Sequence, residues 1–139
     1  DPVNTQLLTE LVRDLSAAGT AIIFSTHLMA SVEELCDRVF MINQGQAVLY
    51  GPVTEVKQRY RNNSLFIDWD GPHDQIQGIN RWEDRGRYWE AFLADGASGE
   101  SVLRQILEKG GLLSLFQLSS PTLNEVFIKV AQEWIVVDE

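Results

Sequence analysis

The sequence predicts a mixed chain in two parts: an α/β segment with a buried parallel strand, then a smaller α+β domain. Three observations predict this division. The run Ala21–Phe24 is apolar without alternation, which is typical of a strand buried on both faces. The stretch Arg61–Ser64 is polar and rich in turn-forming residues, and apolar residues then alternate over 65–69. We therefore predict two domains, 1–61 and 62–139.

A helix, a strand, a second helix and a hairpin are predicted in the first part. Asp1-Pro2 supplies a capping carboxylate and a residue suited to the first helical turn. The apolar stripe of this helix and the glycine that ends it are Leu7, Leu8, Leu11, Val12, Leu15 and Gly19. Thr20–Ser25 is the predicted buried strand, and about Ala30–Cys36 is a short helix. Gln44-Gly45 is the hairpin signal. The strands and helix around it are predicted at Arg38–Asn43, Gln46–Tyr50 and Val53–Arg61.

The second part shows strand and helix patterns in alternation. The predicted elements are strand Leu65–Asp70, a brief helix in His73–Gly78, strands Asn80–Glu83 and Arg87–Ala94, helix Ser98–Lys109, strand Leu112–Leu118 and a helix beginning at Pro121. The order strand, helix, strand, strand, helix, strand is that of a ferredoxin-like split βαβ unit, here with one helix appended. The apolar face of that last helix is Leu123, Val126, Phe127 and Val130.

Composition excludes several classes of function. Twenty acidic against eleven basic residues give a net charge of −9, which repels a phosphate backbone, so no nucleic-acid partner is expected. The single Cys36 excludes an internal disulfide framework and fits a reducing compartment. The apolar runs are too short to cross a bilayer, so we expect no direct membrane insertion. The opening Asp1-Pro2, without Met or a signal segment, suggests a fragment of a longer protein.

Motifs in the first sixty or so residues resemble one family. Asp1-Pro2-Val3-Asn4, a helix, and then Gly19–His27 stand in the order of the D-loop, following helix, strand and H-loop of ABC-transporter ATPases. The stretch from Val32 to Gly51 is similar to the continuation of that family. Ser120–Phe127 resembles the end of the accessory C-terminal domain that follows the ATPase in bacterial ABC-2-type drug, antibiotic or sodium exporters.

The resemblance assigns roles to two residues. His27 stands at the position of the switch histidine, which contacts the γ-phosphate of ATP and helps to orient the attacking water. A residue just past a parallel strand suits this role, because such sheets bind ligands at their carboxyl edges. Asp1 stands at the D-loop position, which reaches the ATP site of the opposite protomer. Each residue also has a purely structural interpretation, a loop hydrogen bond for His27 and a helix cap for Asp1. No metal ligand is predicted.

The parts that hold nucleotide are not in this sequence. A phosphate-binding loop needs glycines followed by Lys and Ser or Thr, and the lysines Lys57, Lys109 and Lys129 lie in no such loop. Ile135–Glu139 imitates the apolar run and Asp-Glu of a Mg²⁺ site, which we interpret as coincidence. ATP and Mg²⁺ are therefore expected in the full-length parent and not on this chain, which is predicted to be inactive by itself.

The resemblance implies that the parent hydrolyses ATP to drive transport. Its implied partners are a transmembrane permease and a second ATP-binding protomer, and its implied location is cytoplasmic, peripheral on the inner face of the plasma membrane. Two alternatives stay open: a βαββαβ module that senses a small ligand, and an interaction domain in which the aromatic strands and Trp134–Val137 join two copies. We also predict that the segment from about Ser64 folds by itself and is where two copies meet.

Overall fold

The computed structural model describes residues 1–137, and the surroundings of side chains as far as Trp134. The chain forms two compact units. The first unit is Asp1–Tyr60 together with the chain from Pro121 onward, and the second unit is Arg61–Ser120. Both units are mixed α/β structures with antiparallel sheets.

The first unit contains four helices and one hairpin. Its elements are α1 (Pro2–Ala17), α2 (Met29–Leu35), β1 (Arg38–Asn43), β2 (Gln46–Pro52), α3 (Val53–Arg59) and α5 (Leu123–Val137). β1 and β2 pair antiparallel, as the Gln44-Gly45 signal predicts. Gln44 and Gly45 both have positive φ angles, 50° and 74°, which the tight turn of a hairpin requires.

The core of the first unit lies between the hairpin and the short helices. Val39, Met41 and Leu49 point inward from the strands, and α3 adds Val56, whose side chain is fully buried. α5 closes this core with the residues that its sequence pattern marks as apolar: Leu123, Val126 and Val130. Periodic apolar positions, three or four residues apart, give α5 the single buried stripe expected of such a helix.

The second unit is a four-stranded sheet with one long helix on one face. Its elements are β3 (Ser64–Trp69), a 3₁₀ turn (His73–Gln75), β4 (Ile79–Asp84), β5 (Trp89–Leu93), α4 (Gly99–Lys109) and β6 (Leu113–Leu118). The strand order is β4-β5-β3-β6, and every neighbouring pair is antiparallel. This arrangement is consistent with a ferredoxin-like split βαβ unit, in which the 3₁₀ turn takes the place of the first helix.

α4 packs on the inner face of this sheet. Ser98 caps the helix, its Oγ accepting a hydrogen bond from the Ser101 amide at 3.2 Å, and Gly110, with φ 76°, ends it. Val102 and Ile106 lie on its buried stripe. They cluster with the strand residues that occupy alternate positions: Leu65, Ile67, Trp69 and Ala91. The alternation seen in the sequence therefore marks the buried face of β3.

The predicted strand at Thr20–Ser25 is wrong for this chain. The segment is irregular, and the side chain of Ile23 is 99% exposed. A strand of a parallel sheet needs hydrogen-bonded neighbours, whereas β1 and β2 pair only with each other and no strand of residues 1–137 pairs with this segment. The apolar run has strand propensity but lacks a partner.

The last helix also lies elsewhere than the sequence-based boundary implies. The sequence pattern predicts one domain over 62–139, whereas in the structure α5 packs in the core of the first unit. Its apolar stripe predicts burial, but the stripe alone does not specify which core it joins. Among residues 1–137, none of the helices combines the length and the apolar character needed to cross a membrane.

Candidate functional site

Asp1 begins α1, and its carboxylate is a helix cap. Its Oδ1 accepts a hydrogen bond from the Val3 amide at 3.0 Å, which satisfies one of the free N–H groups of the first turn. The carbonyl oxygen of Asp1 also accepts from the Thr5 hydroxyl at 3.0 Å. The helix-cap interpretation of Asp1 is thus confirmed. Asp1 is exposed, so the cap leaves one side of its carboxylate open to solvent.

His27 lies in the turn that leads from the irregular segment into α2. The turn is held by Thr26, whose Oγ1 accepts a hydrogen bond from the Leu28 amide at 3.0 Å. The His27 side chain is exposed. The hydrogen bonds described for residues 1–137 include none to its imidazole, so both ring nitrogens are available to another group.

An apolar groove of about 380 Å³ lies next to His27 in the first unit. Its walls come from the irregular segment, the start of α2 and the free edge of β1. Residues that line it include Phe24, Met29, Val32, Phe40 and Met41. The groove therefore has His27 among its lining residues, with mostly apolar side chains and the polar Ser25 and Arg38 around it. Such a surface suits a protein segment better than a polyphosphate, which requires backbone N–H groups and cations.

Asp1 and His27 are not brought together by the described residues. Asp1 lies in a separate shallow groove, with Thr5, Glu10 and Arg13 of α1 and Glu34 of α2. Arg13 and Glu34 form an exposed ion pair there, at 3.5 Å. Residues 1–137 contain no cluster of His, Cys, Asp or Glu that could hold a metal ion. Neither groove by itself provides a cradle for a nucleoside triphosphate.

Cys36 lines the apolar groove, at the end of α2. Burial, and then the neighbouring Asp37 carboxylate, raise the pKa of its thiol above the ordinary value. A raised pKa keeps the sulfur protonated and poorly nucleophilic. Cys36 packs against the core of the first unit, and we interpret it as a structural residue of this groove.

The segment Ser120–Phe127, which carries the resemblance to accessory domains, has a structural role. Leu123 and Val126 are fully buried in the core of the first unit. The Thr122 hydroxyl accepts a hydrogen bond from the Glu125 amide at 3.1 Å and so caps the start of α5. The motif therefore anchors the last helix on the hairpin side of the core.

The second unit contains an aromatic cluster in which His73 joins Trp69, Trp82 and Trp89, tryptophans that the sequence offers either as a ligand platform or as core. The His73 ring stacks on Trp82 with centroids 4.4 Å apart and on Trp69 at 5.8 Å, and it meets Trp89 edge-on at 5.3 Å. Its Nε2 lies 3.0 Å from the Trp69 carbonyl oxygen. His73 is thus held among tryptophan side chains, and the sequence gives no local signal for it because these residues come from separate strands.

A buried acid on β5 is the other feature that the sequence did not reveal. The Glu90 side chain is only 4% exposed and is held by the Arg85 guanidinium at 3.2 Å. The same guanidinium reaches Glu83 at 2.9 Å. The Arg85 guanidinium thus compensates the negative charge of Glu90, which a buried carboxylate requires. We interpret this network as structural.

Comparison with known proteins identifies relatives over nearly the whole chain. A family described as "ATP-binding protein DrrA1-3-like, C-terminal domain" matches residues 51–131. An uncharacterised ABC transporter ATP-binding protein of Alkalihalophilus pseudofirmus is 30% identical over 132 residues, covering 93% of this chain and 49% of that protein. A fluoroquinolones export ATP-binding protein of Mycobacterium tuberculosis is 26% identical over 130 residues, covering 94% of this chain and 39% of that protein.

A shorter match involves the linearmycin resistance ATP-binding protein of Bacillus subtilis, which is 32% identical over 66 residues, or 48% of this chain and 21% of that protein. No solved structure matches the chain. The chain spans about half the length, or less, of the curated relatives it matches.

Proposed function

Because the chain belongs to the family of DrrA1-3-like ATP-binding protein C-terminal domains, we propose that it is the C-terminal half of an ABC transporter subunit that hydrolyses ATP to drive transport. In this proposal, residues 1–61 are the end of the ATPase domain and the chain after them is an accessory domain, whose last helix packs back on the first unit. ATP and Mg²⁺ bind to the preceding half of the parent.

The observation that carries this proposal is the uncovered apolar surface of the first unit. α1 leaves the leucines of its apolar stripe exposed, with Leu7 58% and Leu11 54% exposed, and only Val12 is half-buried. The outer face of the hairpin exposes Phe40 and Tyr50, which meet edge-on at 5.9 Å. So many exposed large apolar side chains on two elements of one unit are typical of a surface that another polypeptide covers. The curated relatives match this chain over about half of their own length or less, and in this proposal the remaining part of the parent covers the surface.

The missing part of the parent would also explain why Thr20–Ser25 is irregular in this chain. With strands of the preceding half beside it, Thr20–Ser25 would join the parallel sheet that its apolar run predicts. His27 would then stand just past the carboxyl end of a strand, which is where parallel sheets bind their ligands. We propose that His27 there contacts the γ-phosphate and helps to orient the attacking water. Asp1 approaches the ATP site of a second protomer.

The partners in this proposal are a transmembrane permease and a second ATP-binding protomer. The parent would act in the cytoplasm, bound peripherally to the inner face of the membrane. Nothing in the described residues favours the ligand-sensing alternative, because the aromatic strands of the second unit pack their rings on one another and on α4.

The test is His27→Ala in the full-length parent. If His27 acts in the transition state, turnover should fall about a hundredfold or more, the scale of a lost proton-transfer or orienting group. The dissociation constant for ATP should change by no more than about threefold, since ground-state binding uses other residues. Steady-state phosphate release and calorimetry on the same preparation measure the two quantities.

The matched control is His73→Gln, the same residue type in the second unit. It should keep the turnover of the unmodified parent, because His73 packs among tryptophans of the second unit. Turnover unchanged in His27→Ala would show that the histidine has only a structural role. A parallel loss of ATP binding would assign it to ground-state affinity instead.

A further inference from the structure

The two edges of the sheet in the second unit differ in charge. β4 forms one edge and carries Arg81, Glu83 and Asp84, with Arg81 and Glu83 paired at 3.2 Å. Charged side chains on an edge strand prevent pairing with other chains. β6 forms the other edge. From Gly110 to Ser120 the sequence contains no charged residue, so this edge lacks that protection.

The β6 edge is also apolar and accessible. Leu112 is 68% exposed and Leu118 is 56% exposed. Gly110-Gly111 before the strand and Ser119-Ser120 after it add no bulky or charged side chain. An uncharged edge with exposed leucines is the kind of strand to which another strand adds by backbone hydrogen bonding.

The register shows which backbone groups of β6 are free. The Ser119 amide donates to the Ser64 carbonyl oxygen at 3.0 Å, so Ser119 faces β3 with its backbone groups. In an antiparallel ladder this orientation alternates along the strand. Gln117 and Leu115 therefore also face β3, and the amide and carbonyl groups of Phe116 and Leu118 point away from the sheet.

We propose that β6 pairs antiparallel with β6 of a second copy of this chain, joining two second units into one continuous sheet. Two copies of net charge −9 repel each other overall, so they can pair closely only through a surface that carries no charge of its own. An identical uncharged strand brings no charge to the contact. This inference concerns the second unit and does not rest on the proposed ATPase function.

Symmetry and the length of the regular strand together set the register of this pairing. Outward-facing residues must lie opposite outward-facing residues, and a pairing centred on the regular segment Leu115–Ser119 places Phe116 against Leu118 of the second copy and the reverse. Gln117 then lies on the twofold axis opposite its own copy, as an isologous contact requires. The two outward pairs exchange about four backbone hydrogen bonds. An irregularity opposite Asp68 and Trp69 breaks the ladder near Ser114, so the regular pairing is confined to Leu115–Ser119.

The decisive experiment is site-directed disulfide formation in the full chain. In a Cys36→Ser background, Gln117→Cys places two thiols directly opposite each other, at a Cβ separation of roughly 4.5–5.5 Å that is close to disulfide geometry. The matched control is Asn80→Cys, which is also exposed but lies on the charged β4 edge. Mild oxidation followed by non-reducing electrophoresis should give at least about fivefold more dimer for position 117. Equal or lower cross-linking at 117 overturns the proposal.

A charge variant tests the same contact without a covalent bond. Gln117→Lys places two ammonium groups opposite each other at the axis, whereas Asn80→Lys adds the same charge to β4. Sedimentation of the unmodified chain at about 100 µM, where small interfaces still associate, should give an average mass above the monomer. That increase should vanish in Gln117→Lys and persist in Asn80→Lys. A monomeric unmodified chain, or association that survives Gln117→Lys, contradicts the pairing through β6.

Discussion

At the scale of single residues, Trp69 determines how the loops of the second unit close. Its indole N–H donates to the Gly110 carbonyl oxygen at 3.0 Å, which ties the end of β3 to the end of α4. The neighbouring Asp70 accepts a hydrogen bond from the Leu112 amide at 2.7 Å, through Oδ1. Trp69 is only 4% exposed. Its contact and that of Asp70 hold together the two segments that follow β3 and α4.

Gly71 is required because the chain folds back over that indole. A Cβ atom at position 71 would overlap the ring of Trp69, and a buried ring has no room to move. We expect Gly71→Ala to lower the free energy of unfolding by about 1–3 kcal/mol, the scale of overpacking. Urea unfolding followed by tryptophan fluorescence measures the change.

Gly99→Ala is the matched control for this prediction. Its added Cβ would lie 3.2 Å from Cδ2 of Leu65, a contact that a shift of a few tenths of an ångström relieves, whereas the overlap at position 71 requires the whole indole to move. Position 99 is the first residue of α4, where alanine is a better helix former than glycine. Its stability should therefore stay within about 0.5 kcal/mol of the unmodified chain. Equal losses in both variants would mean that the indole is not the obstacle.

At the scale of elements, α5 contributes three buried residues to the core of the first unit. Leu123 and Val126 are fully buried, and they cluster with Val56 of α3 and with the hairpin. The opposite side of the helix is more open, with Ile128 47% exposed. Leu123 and Ile128 are thus both apolar residues of α5, but only Leu123 is buried in the core.

Leu123→Ala should destabilise the first unit by about 2–5 kcal/mol, because it removes buried methyl groups and leaves a cavity. Ile128→Ala should cost less than about 1 kcal/mol, since half of that side chain is already in solvent. Amide hydrogen exchange of β1 and β2 reports on the first unit separately. If exchange in the hairpin is unchanged by Leu123→Ala, α5 does not support the core that contains it.

At the scale of the whole molecule, the second unit is closed at both of its ends. The Ser119 hydroxyl donates to the Asn62 carbonyl oxygen at 3.0 Å, and the Ser119 amide binds the Ser64 carbonyl at the same distance. The Leu93 amide also donates to the Asn63 carbonyl at 3.0 Å. Its core cluster is composed entirely of residues between these ends. A segment of this kind has the properties of a domain that folds alone.

Arg61–Ser120 should therefore fold by itself as a compact domain. Trp69, Trp82 and Trp89 all lie within it, so the isolated segment should keep their near-ultraviolet circular dichroism and unfold cooperatively. The midpoint in urea should lie close to that of the same signal in the full chain. A featureless near-ultraviolet spectrum, or a poorly dispersed NMR spectrum, would contradict this prediction.

The segment from Ser64 onward, which the sequence proposes as autonomous, includes α5. Comparing Arg61–Ser120 with Ser64–Glu139 separates the two boundaries. If α5 belongs with the first unit, the longer segment should gain no stability from its extra helix. The apolar tail that is predicted to join two copies, Trp134–Val137, continues past the last residue whose side-chain surroundings the structure describes, Trp134. The pairing of two copies is therefore tested at β6.

Local chemistry by itself determined most of the elements of this protein. Gln44-Gly45 specifies the hairpin because a tight turn needs two positive φ angles. Asp1-Pro2 and Ser98 specify helix starts because a side-chain oxygen satisfies free amides of the first turn. Alternation at Leu65, Ile67 and Trp69 specifies which face of β3 is buried. These signals are carried by neighbouring residues, so no distant contact is needed to interpret them.

Where an element depends on a partner that is distant in sequence, only the tertiary structure decided the outcome. Thr20–Ser25 has the composition of a strand but no strand of the described chain pairs with it, because sheet hydrogen bonds come from another segment. α5 has an apolar stripe that predicts burial, yet only packing assigns it to the first unit. The His73 cluster likewise depends on tryptophans from three strands. The hydrophobic effect is non-directional. A sequence pattern therefore predicts that a residue is buried, and the fold decides which other residues bury it.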